Sequence, residues 1–278
     1  MPDFSRDVHF SLLLDGRADQ VDLPTVALEI AREEYPGLDI GAWLARLDGM
    51  GIQVRDNVRD GEDPAAIILH LNHFLFEQEG YRGNEDEYYD PKNSFLNDVI
   101  ERRLGIPLTL SLMYMAVASR VGLSLCGVGM PAHFIVKFDD GDREIFIDPF
   151  HRGAVLSREA CEQRVSQVLG VPVSLDSVQL GAAPCDEVVL RLLGNLKGIY
   201  VKQDDAARAL RVQERIVAIR GDDLDELRDL GVLLLQNHRP ARAIEVLESY
   251  RLNRPDAADN EVVESLLKAA TRLRASMN

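Results

Sequence analysis

Between Pro107 and Val121 the chain leaves itself no polar face. Leu108, Leu110, Leu112, Met113, Met115, Ala116, Val117 and Ala118 put apolar groups on every side of a helix of period 3.6. Such a helix cannot lie on a surface, so the rest of the chain must enclose it. Its ends are punctuated. Pro107 suits the first helical position, where an N–H would have no partner anyway, and Gly122 suits the position just past the end. Directly afterwards the hydrophobic period falls from 3.6 to 2, over residues 124–130, 133–138 and 144–148, with Asp139-Asp140-Gly141-Asp142 as a hairpin turn between the last two. A buried helix followed by an antiparallel meander is an α+β pattern.

The preceding residues can supply part of the enclosure. Asp22-Leu23-Pro24-Thr25 opens a helix that Tyr35-Pro36-Gly37 stops. Ile40, Trp43, Leu44 and Leu47 form one apolar stripe, and Ile67, Ile68, Leu71, Phe74 and Leu75 form another within a helix expected over residues 64–80. Residues 81–93 are polar and read as an exposed loop. A short helix is expected from about Ser94 to Arg103, closed by Gly105. From Val188 onward the chain is helical and repeats every 34 residues: Leu193 with Leu227, Leu196 with Leu230, Ala207 with Ala241, Arg208 with Arg242, Ala209 with Ala243, Glu214 with Glu248. Thirty-four is the tetratricopeptide period, in which small residues let paired helices approach closely. The expected organisation is a first domain over residues 1–182, with a helical cap to about residue 88, and helical repeats over residues 185–278.

Lys and Arg number 31 and Asp and Glu 46, a net charge of −15 that is not gathered into an acidic tail. That balance disfavours nucleic acid and anionic membrane as partners, since both need a basic surface. No apolar run approaches the 18 residues of a membrane span, and the first 22 residues do not read as a secretory signal. Cys126, Cys161 and Cys185 are widely spaced, with no CxxC pattern and no even set, which suits a reducing cytoplasm. His70 and His73 share a helix face but have no further ligands at metal spacing, so they read as packing or surface histidines and no metal or cofactor is expected.

The chemistry-bearing constellation is His133 with Asp148. If the turn closes a hairpin in which paired residue numbers sum to 281, the two stand opposite each other on one face, with Cβ atoms about 5 Å apart; a one-residue slip would separate them. An imidazole oriented by a carboxylate is the base half of a nucleophilic triad, although many such pairs are only structural. The matching nucleophile would belong at the start of the buried helix, where Thr109 and Ser111 offer hydroxyls but no thiol stands. Local bonding to backbone is the competing reading for both. Cys126, on the strand leading to His133, is either a small buried hydrophobe or a reactive thiol. Asn93, Asn97 and Asp98 are placed to line a cleft. Arg102 and Arg103 either complement a helix C-terminus or hold a substrate carboxylate or Asp98.

Four segments in order resemble the bacterial SirB1-type proteins: Tyr89-Asp90-Pro91-Lys92-Asn93-Ser94-Phe95-Leu96-Asn97-Asp98, Glu101 to Ser111, Gly127 to Phe134, and Phe146-Ile147-Asp148-Pro149-Phe150. The resemblance implies a transglutaminase-like, papain-like α+β core with an N-terminal helical cap, joined to all-α tetratricopeptide-like repeats. In that superfamily a Cys at the start of the central helix, a His on one strand and an Asp on the next form the triad. His133 and Asp148 match the last two, while the Cys position falls around Pro107 to Thr109 and holds no Cys. Two expectations follow. One is a non-catalytic, regulatory module that binds a peptide or protein, with the repeats recognising the partner. The other is a hydrolase or acyltransferase using Thr109, Ser111 or Cys126 with His133 and Asp148.

Overall fold

Three aspartates start the helices that surround the centre. In the computed structural model, which describes residues 4–277, the helices are α1 (Val8–Leu14), α2 (Leu23–Ala31), α3 (Ile40–Arg55) and α4 (Pro64–Asn72). Asp22, Asp39 and Asp63 accept the N–H groups of Thr25, Ala42 and Ala65 at 3.0, 3.1 and 2.9 Å, satisfying donors that a helix start leaves open. The ends of the expected domains at residues 1–3 and 278 lie outside the described residues.

The helix expected to run to Gly80 does not do so. After Asn72 the backbone widens into a π-helical turn, His73–Gln78. Phe74, Leu75 and Phe76, which are consecutive and all buried, lie within this turn. A two-residue strand β1 (Arg82–Gly83) pairs in parallel with β2 (Leu104–Gly105) on either side of α5 (Leu96–Arg102). α5 ends at Arg103 in the left-handed conformation (φ 60°), and Gly105 serves the strand rather than the helix end. The central helix α6 (Pro107–Arg120) buries eleven of its residues, against α3, α5 and the sheet.

The sheet is antiparallel in the order β3 (Cys126–Met130), β4 (His133–Asp139), β5 (Glu144–Asp148) and β6 (Ala154–Leu156). β4 is buried over its first six residues because both faces are covered. Alternation puts Phe134, Val136 and Ile147 towards α6; a Cβ on Gly127, which shares that face, would meet Phe134 and Met115. The other face carries Val128, Met130, Ile135 and Phe146, packed with Cys161 and Val165 of α7 (Arg158–Leu169). β6 and α7 had no counterpart in the sequence reading. The β4–β5 register also differs from the expected one. Asp139 pairs with Glu144 and Val136 with Ile147, so paired numbers sum to 283 rather than 281. The turn has the expected length but is centred one residue later, on Gly141 and Asp142: the Asp140 N–H donates to the Arg143 carbonyl at 3.3 Å, and the Asp140 side chain accepts the N–H groups of Asp142 and Arg143 at 3.1 and 2.8 Å. A shift of two residues leaves every side chain on its face.

The described chain divides into two compact units. One holds residues 17–192 with residues 7–12; the other holds residues 193–277 with residues 4–6 and 13–16. α8 (Cys185–Lys202) passes the division and is followed by α9 (Ala206–Ile219), α10 (Leu224–Gln236), α11 (Pro240–Asn253) and α12 (Asn260–Ser276). The 34-residue period appears as successive helix hairpins, with Ala209 and Ala243 fully buried at equivalent positions. α10 and α11 approach so closely at Gly231 that a Cβ there would lie 2.6 Å from the Leu247 side chain. No helix among the described residues is long and apolar enough to cross a membrane.

Candidate functional site

His133 opens β4 and Asp148 closes β5. In the observed register Asp148 stands opposite Ile135, so His133 is its diagonal neighbour on the same face, the one that α7 covers. The imidazole reaches across: His133 Nε2 lies 2.9 Å from Asp148 Oδ2, with the His at 4% and the Asp at 0% exposure. The same oxygen meets His151 Nδ1 at 2.8 Å and Arg164 Nε, on α7, at 3.4 Å. Its sister Oδ1 accepts the His151 N–H at 3.3 Å, which starts the 3-10 turn Pro149–His151. Burial pushes the Asp148 carboxyl up, but the hydrogen bonds from His133 and His151 outweigh it and hold the group well below the usual carboxylate range.

An ionised carboxylate only accepts, so His133 presents an N–H at Nε2 to Asp148. Nδ1 has no hydrogen-bond partner among the described residues. His151 is fixed from both sides: Nδ1 donates to Asp148, and Nε2 faces Arg164 Nη1 at 3.2 Å, which can only donate. His133, Asp148 and His151 bring ligand atoms within 4.8 Å of one another, the donor set of a two-histidine, one-carboxylate metal site. The set does not fit one. A cation on His151 Nδ1 would force the proton to Nε2, against the guanidinium of Arg164. The cluster is a hydrogen-bonded network.

Two clamps set the frame of this network. Arg191 on α8 donates to the carbonyls of Met130 (2.9 Å) and His133 (2.8 Å), tying both ends of the β3–β4 turn, in which Ala132 is left-handed (φ 56°). On the other side, Asn72 donates to the carbonyl of Gly153 at 2.8 Å and accepts the Tyr114 hydroxyl at 2.9 Å, bolting the segment after His151 to α4 and α6. Gly153 is left-handed (φ 74°), and a Cβ there would overlap the Asn72 carboxamide. Gly153→Ala should therefore lower stability by about 2 kcal/mol in urea unfolding; a change below ~0.5 kcal/mol would show that the segment is not locked as seen. His151, Arg164, Arg191 and Asn72 escaped the sequence reading. Only His151 left a local sign, since Asp148-Pro149 is an N-cap followed by a proline at the first turn position.

The hydroxyls and thiols lie elsewhere. Thr109 donates to the carbonyl of Asn93 at 2.6 Å and accepts the Ile106 N–H at 3.2 Å, so its proton is committed to backbone. The Ser111 oxygen is buried without a partner among the described residues. Cys126 pairs with Lys137, four residues from His133 and so about 13 Å along the strand; its thiol faces the Lys137 carbonyl at 3.6 Å, and burial pushes it up. A reactive role for Cys126 would require contact with His133, and the thiol stands away from it. Burial and the charge of Asp148 push the Cys161 thiol up to about 11, and burial with Asp186 pushes Cys185 up to about 11. No thiolate is prepared at any of the three.

The expected cleft residues form a bracing network instead. Asn93 donates to the carbonyls of Glu87 and Tyr88 at 2.7 and 3.3 Å and accepts from Asn84 at 3.0 Å. Asp98 accepts the Tyr35 hydroxyl at 2.7 Å, and burial pushes its carboxyl up. Arg102 pairs with Asp90 and Arg103 with Glu79, each at 2.8 Å, so neither pairs with Asp98 as one reading had it. Asn97 keeps a buried oxygen without a partner among the described residues. His70 and His73 each face their own carboxylate, Glu62 at 3.4 Å and Glu77 at 2.7 Å, and hold no common ligand.

Comparison with known proteins matches residues 41–194 to the transglutaminase-like superfamily and residues 196–268 to the tetratricopeptide repeat. A UPF0162 protein of Xylella fastidiosa strain Temecula1 is 34% identical over 252 residues, covering 90% of each chain. A second, from strain 9a5c, is 37% identical over 225 residues, covering 80% of each. Human F-box only protein 21 is 30% identical over 157 residues, which are 53% of this chain and 24% of that one. No solved structure matches the chain.

Proposed function

The chain belongs to the transglutaminase-like superfamily and to the bacterial UPF0162, or SirB1-type, proteins, and on that premise we propose that it is a non-catalytic scaffold. In this reading the transglutaminase-like unit binds a peptide or protein segment, the tetratricopeptide repeats recognise a protein partner, and the protein acts as a regulator in the cytoplasm. The observation that carries the reading is a base without a nucleophile. His133 and Asp148 are paired and buried, while Thr109 is bonded to backbone and every thiol is pushed up by burial. Superfamily chemistry runs through a thiolate made by such a couple. The matched segment in F-box only protein 21, where it makes up a quarter of a longer chain, supports the view of a portable module. The three unpaired cysteines support the compartment.

One observation favours the second reading, a hydrolase or acyltransferase: the Ser111 hydroxyl is buried and uncommitted. A broad screen of acyl-ester, amide and amine-acceptor probes separates the two. The scaffold reading expects no probe to be turned over or covalently retained, with wild type and His133→Ala alike. Turnover that vanishes in both His133→Ala and Ser111→Ala, while each variant keeps its circular dichroism spectrum, would replace the scaffold by a serine enzyme.

A further inference from the structure

The repeat unit contains a cavity of about 410 Å³ between α8, the start of α9 and α10. Val201, Ala206, Ala209, Val232 and Leu233 supply its apolar lining. Val201 stays 51% exposed on the last turn of α8. The volume is within the range of small-ligand pockets and takes one large apolar side chain with room for the backbone that carries it.

Charge decides what accompanies that side chain. The cavity is lined by one cation, Lys197, and it is neutralised twice, by Glu226 and Asp229 at 2.8 Å each. Asp229 is in turn held by Arg228 at 3.0 Å. Asp204, at the α8–α9 turn, is the one lining carboxylate with no ion pair among the described residues. Residues 193–278 carry fourteen Lys or Arg and fourteen Asp or Glu, so the whole excess of acidic charge lies before them. Residues 193–278 therefore add no net charge around the cavity. The local unpaired carboxylate therefore sets the preference.

We propose that this cavity binds an extended partner segment through an apolar side chain followed by Lys or Arg, the apolar group seated between Val201 and Leu233 and the cation on Asp204. Gln236 lines the same cavity and brings a carboxamide that can pair with the segment's main chain. The proposal deepens the reading of the repeats as the recognition surface and rests on it.

The test uses the full-length protein, labelled with nitrogen-15, and two capped hexapeptides, Gly-Ser-Phe-Arg-Ser-Gly and Gly-Ser-Phe-Gln-Ser-Gly. The arginine peptide should shift the amides of Val201, Ala206, Ala209, Val232 and Leu233. It should bind about three- to five-fold more tightly than the glutamine peptide, as one exposed ion pair allows. In Asp204→Asn the two peptides should bind equally; asparagine tolerates the left-handed backbone at this position (φ 56°), so the fold is kept. Val201→Glu, on an exposed wall, should weaken both peptides at least ten-fold. Equal binding of the two peptides to wild type, shifts confined to other surfaces, or no binding at about 5 mM would overturn the proposal. Partner capture by the full-length protein that survives Val201→Glu but is lost on substitutions elsewhere on the repeats would also overturn it, leaving the broader reading of the repeats intact.

Discussion

Asp148→Ala is expected to lower the unfolding free energy by about 3 to 5 kcal/mol. The carboxylate is fully buried and receives donors from His133, His151 and Arg164. Alanine leaves two imidazole N–H groups without an acceptor, at roughly 1 to 3 kcal/mol each, and a guanidinium facing a hole. Asp148→Asn keeps an acceptor oxygen and should cost less than half as much. The carboxyl is held below its ordinary range, so the sign of its pH dependence is determined. The folded protein keeps Asp148 ionised where the unfolded chain, titrating near 3.9, binds a proton. Its contribution is full above about pH 4 and is lost as the pH falls through the folded value. Urea titrations from pH 7 to pH 3 should show wild type losing stability more steeply below about pH 4 than Asp148→Asn. Parallel acid limbs would mean that Asp148 is not the buried ionised centre of this network.

Arg191→Ala should cost about 3 to 4 kcal/mol, although no charged partner is removed. The side chain bonds two carbonyls at once, those of Met130 and His133, and its guanidinium stands 5.6 Å from the centre of the Phe134 ring. Burial pushes its pKa down, yet an arginine remains charged there, so both bonds are charge-assisted. Loss of the clamp releases the turn that carries His133. Amide exchange should therefore accelerate over residues 126–139 more than in α3 or α11. Arg191→Lys should recover less than half of the loss, because an ammonium cannot span both acceptors in one plane. Full rescue by lysine would show that a positive charge, and not the two-pronged geometry, holds the turn.

The elements that the sequence placed well share a cause. α6 begins at Pro107 as expected and ends one residue early, and β5 covers the expected residues 144–148, because burial on all sides and strict alternation are local statements about composition. The 34-residue period is equally legible, since each helix hairpin repeats one packing problem. The π-turn at His73–Gln78 was not legible. It holds Phe74, Leu75 and Phe76, all buried, and their burial depends on what stands around them. The register followed the same rule: the parity of His133 and Asp148 came from alternation, while the two-residue displacement came from the self-closing Asp140 turn.

The sequence by itself determined that a helix without a polar face must be enclosed, that a small antiparallel sheet follows it, that helices of 34-residue period end the chain, and that His133 and Asp148 can share a face while no cysteine stands at the start of the helix. Tertiary structure alone decided what that couple meets. His151 and Arg164 close on Asp148, Arg191 grips the turn from α8, and Thr109 turns to the backbone of Asn93. Periodicity follows from how each residue partitions between water and the interior, and the chain carries that information locally. A hydrogen bond between residues far apart in sequence needs the direction of each donor, which exists only once the backbone has been folded around it.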